Sequence, residues 1–345
     1  MVTLKELAEK SGVSIATVSN ILNGKSNVSE RTRARVLSII EETGYTPNYM
    51  ARGLRAASTR TIGVIADDIS EFSTPKIING IMEVLEENGY RTILANLRFY
   101  TKWERSNKTS EDYKKAIKSA ADEFTSIKTD GIIYVSGHAR NISEIPDDLS
   151  LPVVVAYAFT SRAGTPFIVF DDESAAFEMT EHLISAGSNR IGVITGMDDN
   201  IHTQKRLDGC KKAMQAHALQ LDSRLIAAGD WSMQSGYDGC RKLLSEDAHL
   251  PAIFCLNDIM AAGAYKYLAE IGKVPGRDIS VAGFDNRDIS ACLNPPLTTM
   301  EIPLTAIGEA SARTMLNLIE SGSGADEKIR LPCRLIARQS VIKNK

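Results

Sequence analysis

Leu4, Leu7 and Ala8 repeat at the i, i+3, i+4 spacing that gives a helix one buried stripe, and Thr3 with Glu6 forms a capping box at its start. Gly12 stops that helix. Ser14 then caps a second one, in which Val18, Ile21 and Leu22 point inward while Ile15, Ala16, Thr17, Ser19 and Asn20 point outward. Asn23-Gly24 ends it, Ser29 caps a third helix, and Val36, Leu37, Ile39 and Ile40 supply the apolar side of that helix before Gly44. Two short helices across a tight turn, followed by a third, predict a small helix-turn-helix unit. The outward face of the second helix carries small uncharged residues rather than the Glu and Lys of an ordinary surface helix, so it can sit deep in a groove.

From Arg60 the period changes. Short apolar runs, Ile62-Gly63-Val64-Ile65, Thr92-Ile93-Leu94 and Asp130 to Val135, alternate with helical stretches such as Ile77 to Asn88. A second series begins near Asp171 and includes Arg190 to Ile194, Ala252 to Cys255 and Ile279 to Phe284. Strands alternating with helices predict parallel sheets, and two such series predict two α/β lobes facing a cleft. In such folds small ligands bind at the carboxyl ends of the strands, and closure about the crossovers can act as a switch.

Charge sharpens this division. Residues 1–60 hold nine Lys and Arg against five Asp and Glu, and the remainder holds 31 against 38, so a basic head sits on an acidic body within a net charge of −3. That asymmetry is expected when only the head meets polyanionic DNA. The five cysteines are widely spaced without a CxxC pair, which predicts neither a disulfide framework nor a zinc site and fits a reducing cytosol. The first residues lack an apolar signal core and no run is long enough to span a bilayer, so neither secretion nor membrane insertion is expected.

Thr3 to Ala8 together with Val13 to Gly24 closely resembles the DNA-binding head of the lactose-repressor (LacI/GalR) family. Gly44-Tyr45-Thr46-Pro47-Asn48 and Ala51-Arg52-Gly53-Leu54-Arg55 resemble that family's hinge. In the body Asn257 to Ala261, Gly283-Phe284-Asp285, Pro295 to Thr299 and Ala337 to Ser340 resemble its sensor domain. The resemblance implies an all-α helix-turn-helix head at 1–46, a hinge at 47–58, and a two-lobed periplasmic-binding-protein-like α/β sensor at 59–345. The first lobe would cover about 60–170 and 303–330, the second about 171–302 and 331–345.

It also implies roles. Ile15, Ala16 and Asn20 would read bases, with Ser14, Thr17, Ser19 and Asn23 positioning the helix. Leu54 would wedge into a minor-groove step beside Arg55 when two hinges pair on DNA. In the sensor, Arg206, Trp231, Asn257 and Asp285 would bind effector, joined by Ser73 and Thr74 of the first lobe. Their chemistry suits a sugar: an apolar face from Trp231, hydrogen bonds from Asn257 and Asp285, and a clamp from Arg206 on a hydroxyl, carboxylate or phosphate.

The expected partners are an operator in double-stranded DNA, a sugar, sugar acid or sugar phosphate, and a second copy of the chain, without membrane, metal or cofactor. No heptad pattern follows Ser340, so no tetramerising helix is expected. The first-lobe loop Glu71 to Pro75 departs from the family, and Leu97 to Asp112 is longer than usual. Whether its aromatics Phe99, Tyr100 and Trp103 cover the effector or pack locally is open from sequence. No nucleophile elbow, phosphate-binding glycine loop or metal spacing supports an enzyme. A sugar receptor with an idle head is the other alternative, and it would show no salt-dependent, sequence-selective DNA affinity. Of the scattered histidines, His182 reads as structural, whereas His202, one turn before Arg206, can approach the cleft.

Overall fold

The computed structural model describes residues 2–22, 28–45, 58–103, 110–146, 148–324 and 327–342. The chain forms two compact units, divided between Thr59 and Arg60.

The first unit holds α1 (Leu4–Ser11), α2 (Ile15–Leu22) and α3 (Glu30–Thr43). The capping box forms: the Glu6 amide donates to Thr3 Oγ1 at 3.3 Å and the Thr3 amide to the Glu6 carboxylate at 2.8 Å. Gly12 and Gly44 close α1 and α3 in the left-handed conformation, at φ +62° and +59°. Leu7, Val18 and Val36, one from each helix, are fully buried and tie the three together. Leu37 departs from expectation. It is 48% exposed, because α3 turns only Val36 and the neighbouring Ile39 and Ile40 toward that small core.

The second unit contains two parallel sheets. The first joins β1 (Thr61–Ala66), β2 (Arg91–Asn96), β3 (Gly131–Val135), β4 (Val153–Ala156), β5 (Phe167–Phe170) and β11 (Lys328–Leu331), in the order β11-β5-β4-β3-β1-β2. The second joins β6 (Ile191–Ile194), β7 (Ile226–Ala227), β8 (Ala252–Cys255) and β9 (Ser280–Ala282), in the order β7-β6-β8-β9. Burial on both faces explains why β1, β3, β4, β6 and β8 read as continuous apolar runs. An antiparallel pair, β10 (Thr299–Glu301) with β12 (Arg334–Ile336), completes the strands.

Three passages of chain link the lobes: between β5 and α7 (Asp172–Ser185), between β10 and α12 (Leu304–Ser321), and between β11 and β12. The helix α12 packs with α4 (Thr74–Glu87) on one face of the first sheet, while α6 (Ser110–Ser126) covers the other through Tyr113, Ile117 and Phe124. The remaining helices are α5 (Phe99–Trp103), α8 (Ile201–Ala216), α9 (Met233–Glu246), α10 (Asp258–Glu270) and α11 (Asp288–Cys292). Among the described residues no helix is long and apolar enough to cross a membrane, and no His, Cys, Asp and Glu group could hold a metal ion.

Candidate functional site

In the head, Ser14 Oγ accepts from the Thr17 amide at 3.1 Å and bonds Thr17 Oγ1 at 2.9 Å, which fixes the start of α2. Burial of Val18 and Ile21 turns the opposite face outward: Ser14, Ile15 and Ala16 are exposed, and Thr17, Ser19 and Asn20 half-buried. Six of the nine residues expected to meet DNA therefore share the solvent side and first turns of one helix. Asn23, Leu54 and Arg55, with the hinge at 47–57, lie outside the described residues.

In the body a cleft of about 230 Å³ opens between the two sheets. Glu71 and Phe72 follow β1, His138 follows β3 and Tyr157 follows β4. From the second sheet Asn200, His202 and Arg206 follow β6, Trp231 follows β7, Asn257 follows β8, and Asp285 and Arg287 follow β9. Every contributor thus comes from the carboxyl end of a parallel strand, where the strands end and helix starts converge. Arg206, Trp231, Asn257 and Asp285 come together here as expected from sequence.

Several of these positions are held in unusual backbone conformations. Tyr157, Trp231 and Asp285 have φ of +65°, +72° and +106°. For residues with a Cβ this costs energy and persists only where the surroundings enforce it. The Trp231 ring lies so close to Gly196 that a Cβ there would be 2.0 Å from it, so the end of β6 needs glycine to admit the indole.

Arg206 is buried and heavily committed. Its Nε donates to Asp172 at 2.7 Å, its Nη1 donates to the Leu256 carbonyl and reaches Asp285 at 3.5 Å, and its guanidinium lies 3.6 Å from the centre of the Phe284 ring. Burial opposes ionisation of Asp172, but His202 and Arg206 outweigh it and hold the carboxyl below its ordinary value. For Asp285 burial wins over Arg206 and Arg287, and the carboxyl is pushed up. Burial, then the charge on Asp285, likewise raises Asp258. Two carboxylates and a carbonyl thus hold Arg206 in place where it lines the cleft.

His202 lines the cleft, as its position one turn before Arg206 allows. Its Nδ1 lies 2.8 Å from Asp172, and its Nε2 accepts from the Ala139 amide of the first lobe at 3.2 Å. With Nε2 an acceptor, the ring proton sits on Nδ1 and donates to Asp172. Asn257 caps α10 through its carbonyl, which accepts from the Met260 amide at 2.7 Å, and donates to the Trp231 carbonyl at 3.0 Å.

The first-lobe wall differs from expectation. Ser73 and Thr74 are buried at the start of α4 and do not line the cleft; Ser73 Oγ donates to the Gly137 carbonyl at 3.1 Å. The preceding Glu71 and Phe72 line it instead. His138 and Tyr157 were missed. Tyr157 ends an apolar run that reads as core, and only its left-handed backbone turns it to the cleft; no sequence pattern marks His138.

The loop carrying His138 is fixed by the buried Asp67 carboxylate, which accepts from Ser136 Oγ at 2.8 Å, the Gly137 amide at 3.1 Å and the hydroxyls of Tyr113 and Tyr134. Phe99 and Tyr100 of α5 pack behind it. Phe99 meets Tyr113 at 4.3 Å between ring centres, and Tyr100 meets His138 at 5.0 Å, edge to face. Desolvation by this packing pushes the His138 imidazole down to about 4.

Comparison with known proteins identifies the two parts of the chain. Residues 3–48 match the model of bacterial regulatory proteins of the lacI family, and residues 180–341 match that of a periplasmic binding protein-like domain. Catabolite control protein A of Priestia megaterium is 32% identical, covering 98% of this chain and 99% of its own. The chain belongs to the lacI family. It is a transcriptional regulator that binds DNA through its helix-turn-helix head, and not an enzyme. Among solved structures, the lac repressor dimer bound to operator and an anti-inducer matches with a TM-score of 0.82 at 26% identity, covering 99% of each chain. A lacI-family regulator of Enterococcus faecium with bound ribose matches at 0.64 and 27% identity, over 83% of this chain and all of its own.

Proposed function

We propose that this regulator binds a pseudo-palindromic operator as a homodimer in the cytoplasm, and that a small carbohydrate or carbohydrate derivative in the cleft changes its operator affinity. The observation that carries this reading is the cleft: Trp231, Asn257, Asp285 and Arg206 converge on one small cavity whose two walls belong to lobes linked by three crossovers. An indole face with nearby amide and carboxylate groups suits a sugar ring. The lac repressor dimer on operator and the ribose-bound E. faecium regulator support the same reading by likeness.

One head buries too little surface for useful specificity, whereas two can read related half-sites. Ile15, Ala16 and Asn20 read bases and Ser14, Thr17, Ser19 and Asn23 set the helix on the backbone. Leu54 wedges into the minor groove beside Arg55. Exposed Met82 on α4 and Ile93 and Leu94 on the edge strand β2 offer a second copy an apolar face. Ser73 and Thr74 act on the effector by anchoring the turn that carries Glu71 and Phe72. Repression is the expected sense, as in the lac repressor.

The test is a thermal-shift screen of purified protein against sugars, sugar acids and sugar phosphates, each hit followed by an operator titration. A ligand that stabilises the protein and changes operator affinity is expected. Stabilising ligands that leave operator affinity unchanged overturn the switch.

A further inference from the structure

We infer that α5 sets effector affinity from outside the cleft, with Tyr100 and Asp68 as positioning residues that hold the His138 wall in place. This rests on the carbohydrate reading above and adds to it a role for the segment that follows β2.

Five residues are too few for a helix to persist in water without outside support. The end of β1 supplies that support. The Leu97 amide donates to the Ala66 carbonyl at 2.9 Å, and the Phe99 amide donates to the Asp67 carbonyl at 2.7 Å. Asp68, only 1% exposed, accepts at Oδ2 from the Thr101 amide at 2.9 Å and from Thr101 Oγ1 at 2.7 Å. Its Oδ1 accepts from the Ser70 amide at 3.1 Å and from Ser70 Oγ at 2.9 Å. Burial opposes the charge on Asp68, but these donors outweigh it and hold the carboxyl down at about 2.

The preceding residue holds the turn that carries His138. Asp67 accepts from the Gly137 amide, and Ser73 Oγ donates to the Gly137 carbonyl, so the turn is gripped through both sides of one residue. Adjacent carboxylates at one strand end thus place α5 and the His138 turn in register with each other.

Tyr100 joins the two. It does not line the cleft, whereas His138 and Glu71 do. Its ring meets His138 edge to face, and a Cβ on Gly137 would lie 2.7 Å from Tyr100 Cε2 and 3.0 Å from Glu71 Cγ. Only glycine fits between them, and the turn has no room to retreat from the cleft. The wall therefore moves with the first sheet as one piece when the lobes close. Without the Tyr100 ring a cavity opens behind the turn and His138 gains freedom that a bound effector must remove, which weakens binding.

The experiment begins with calorimetric titration of the full chain with D-glucose, D-galactose, D-ribose, cellobiose and maltose, and carries the tightest binder forward. Tyr100→Leu should weaken it about tenfold, within the range of coupling between residues in contact. Tyr100→Phe, which keeps the ring, should restore most of that loss, and Asp68→Asn, whose amide hydrogens face the Ser70 donors, should weaken binding in the same direction. In a His138→Gln background Tyr100→Leu should have no further effect. Unchanged affinity in Tyr100→Leu overturns the inference, and so does a loss that adds in full to that of His138→Gln, which would mean that Tyr100 touches the effector itself. Hydrogen exchange reads the same support without ligand: in Tyr100→Leu the amides of Gly137 and Ala139 should exchange about tenfold faster while those of β1 keep the native rate. If none of the five sugars binds the native chain the carbohydrate reading falls, and the exchange rates alone decide the support, unchanged rates at Gly137 and Ala139 overturning it.

Discussion

On the second-lobe side of the cleft, Arg206 is held by Asp172, Asp285 and the Leu256 carbonyl, all buried, and His202 ties that cluster across to Ala139. On the first-lobe side, Glu71 and His138 stand 3.5 Å apart with partly exposed side chains, beside Phe72 and Tyr157. The contrast separates two tasks. Buried charges that satisfy one another give a rigid surface of fixed polarity, which orients a ligand. A partly exposed wall with aromatic groups can shift as the lobes close, and so can report whether a ligand is present.

The largest expected difference is in stability. Asp172→Ala strands the Arg206 guanidinium in the interior and should cost about 3–5 kcal/mol. Glu71→Gln removes a partly exposed carboxylate and should cost about 1 kcal/mol or less. Urea unfolding of both variants measures this directly, and equal losses would erase the distinction between the walls. Next in size is the coupling between sites. Asp285→Ala should abolish the effector's change in operator affinity, a coupling of about 1–3 kcal/mol, while leaving operator affinity without effector intact. Fluorescence anisotropy on labelled operator reads both quantities.

The smallest effect is in pH dependence, where the walls should have opposite signs. His138, lowered from 6.5 to about 4, binds fewer protons folded than unfolded, so its contribution is present above pH 6.5 and is lost as pH falls toward 4. Its side chain is 42% exposed, so the loss is discounted to on the order of 1 kcal/mol or less. Asp258 and Asp285 are raised above their ordinary values, so the folded state favours their protonated forms and loses that contribution as pH rises through the raised values. His138→Gln should therefore flatten the acid side of the stability profile, and Asp258→Asn the neutral side. Thermal melts across pH that keep both slopes in both variants would remove these groups as their source.

The sequence reveals these two walls unequally. Arg206, Trp231, Asn257 and Asp285 sit inside short motifs that resemble the family's, and Asn257 and Asp285 also come just past strands of clear apolar pattern. The helices of the head are equally legible, because Thr3, Ser14 and Ser29 cap them and Gly12 and Gly44 end two of them. The first-lobe wall is harder. Choosing Ser73 and Thr74 over Glu71 and Phe72 is an error of two residues at a helix start, where side-chain direction changes with each residue. Tyr157 depends on one left-handed backbone angle, and His138 on the remote carboxylate of Asp67. Leu37 reads as core only because a helix that covers a very small core has more apolar positions than the core can bury. The commitment of Arg206 to Asp172 joins residues 34 apart in sequence and becomes visible only when α7 and α8 pack together.

The most direct measurement selects binding sites for the full chain from a random duplex library, then titrates the selected site with and without a carbohydrate that stabilises the protein. The account predicts a pseudo-palindromic site whose affinity changes with the carbohydrate in the native chain and stays constant in Asp285→Ala. Failure to enrich any sequence, or an affinity indifferent to a ligand bound in the cleft, would contradict it.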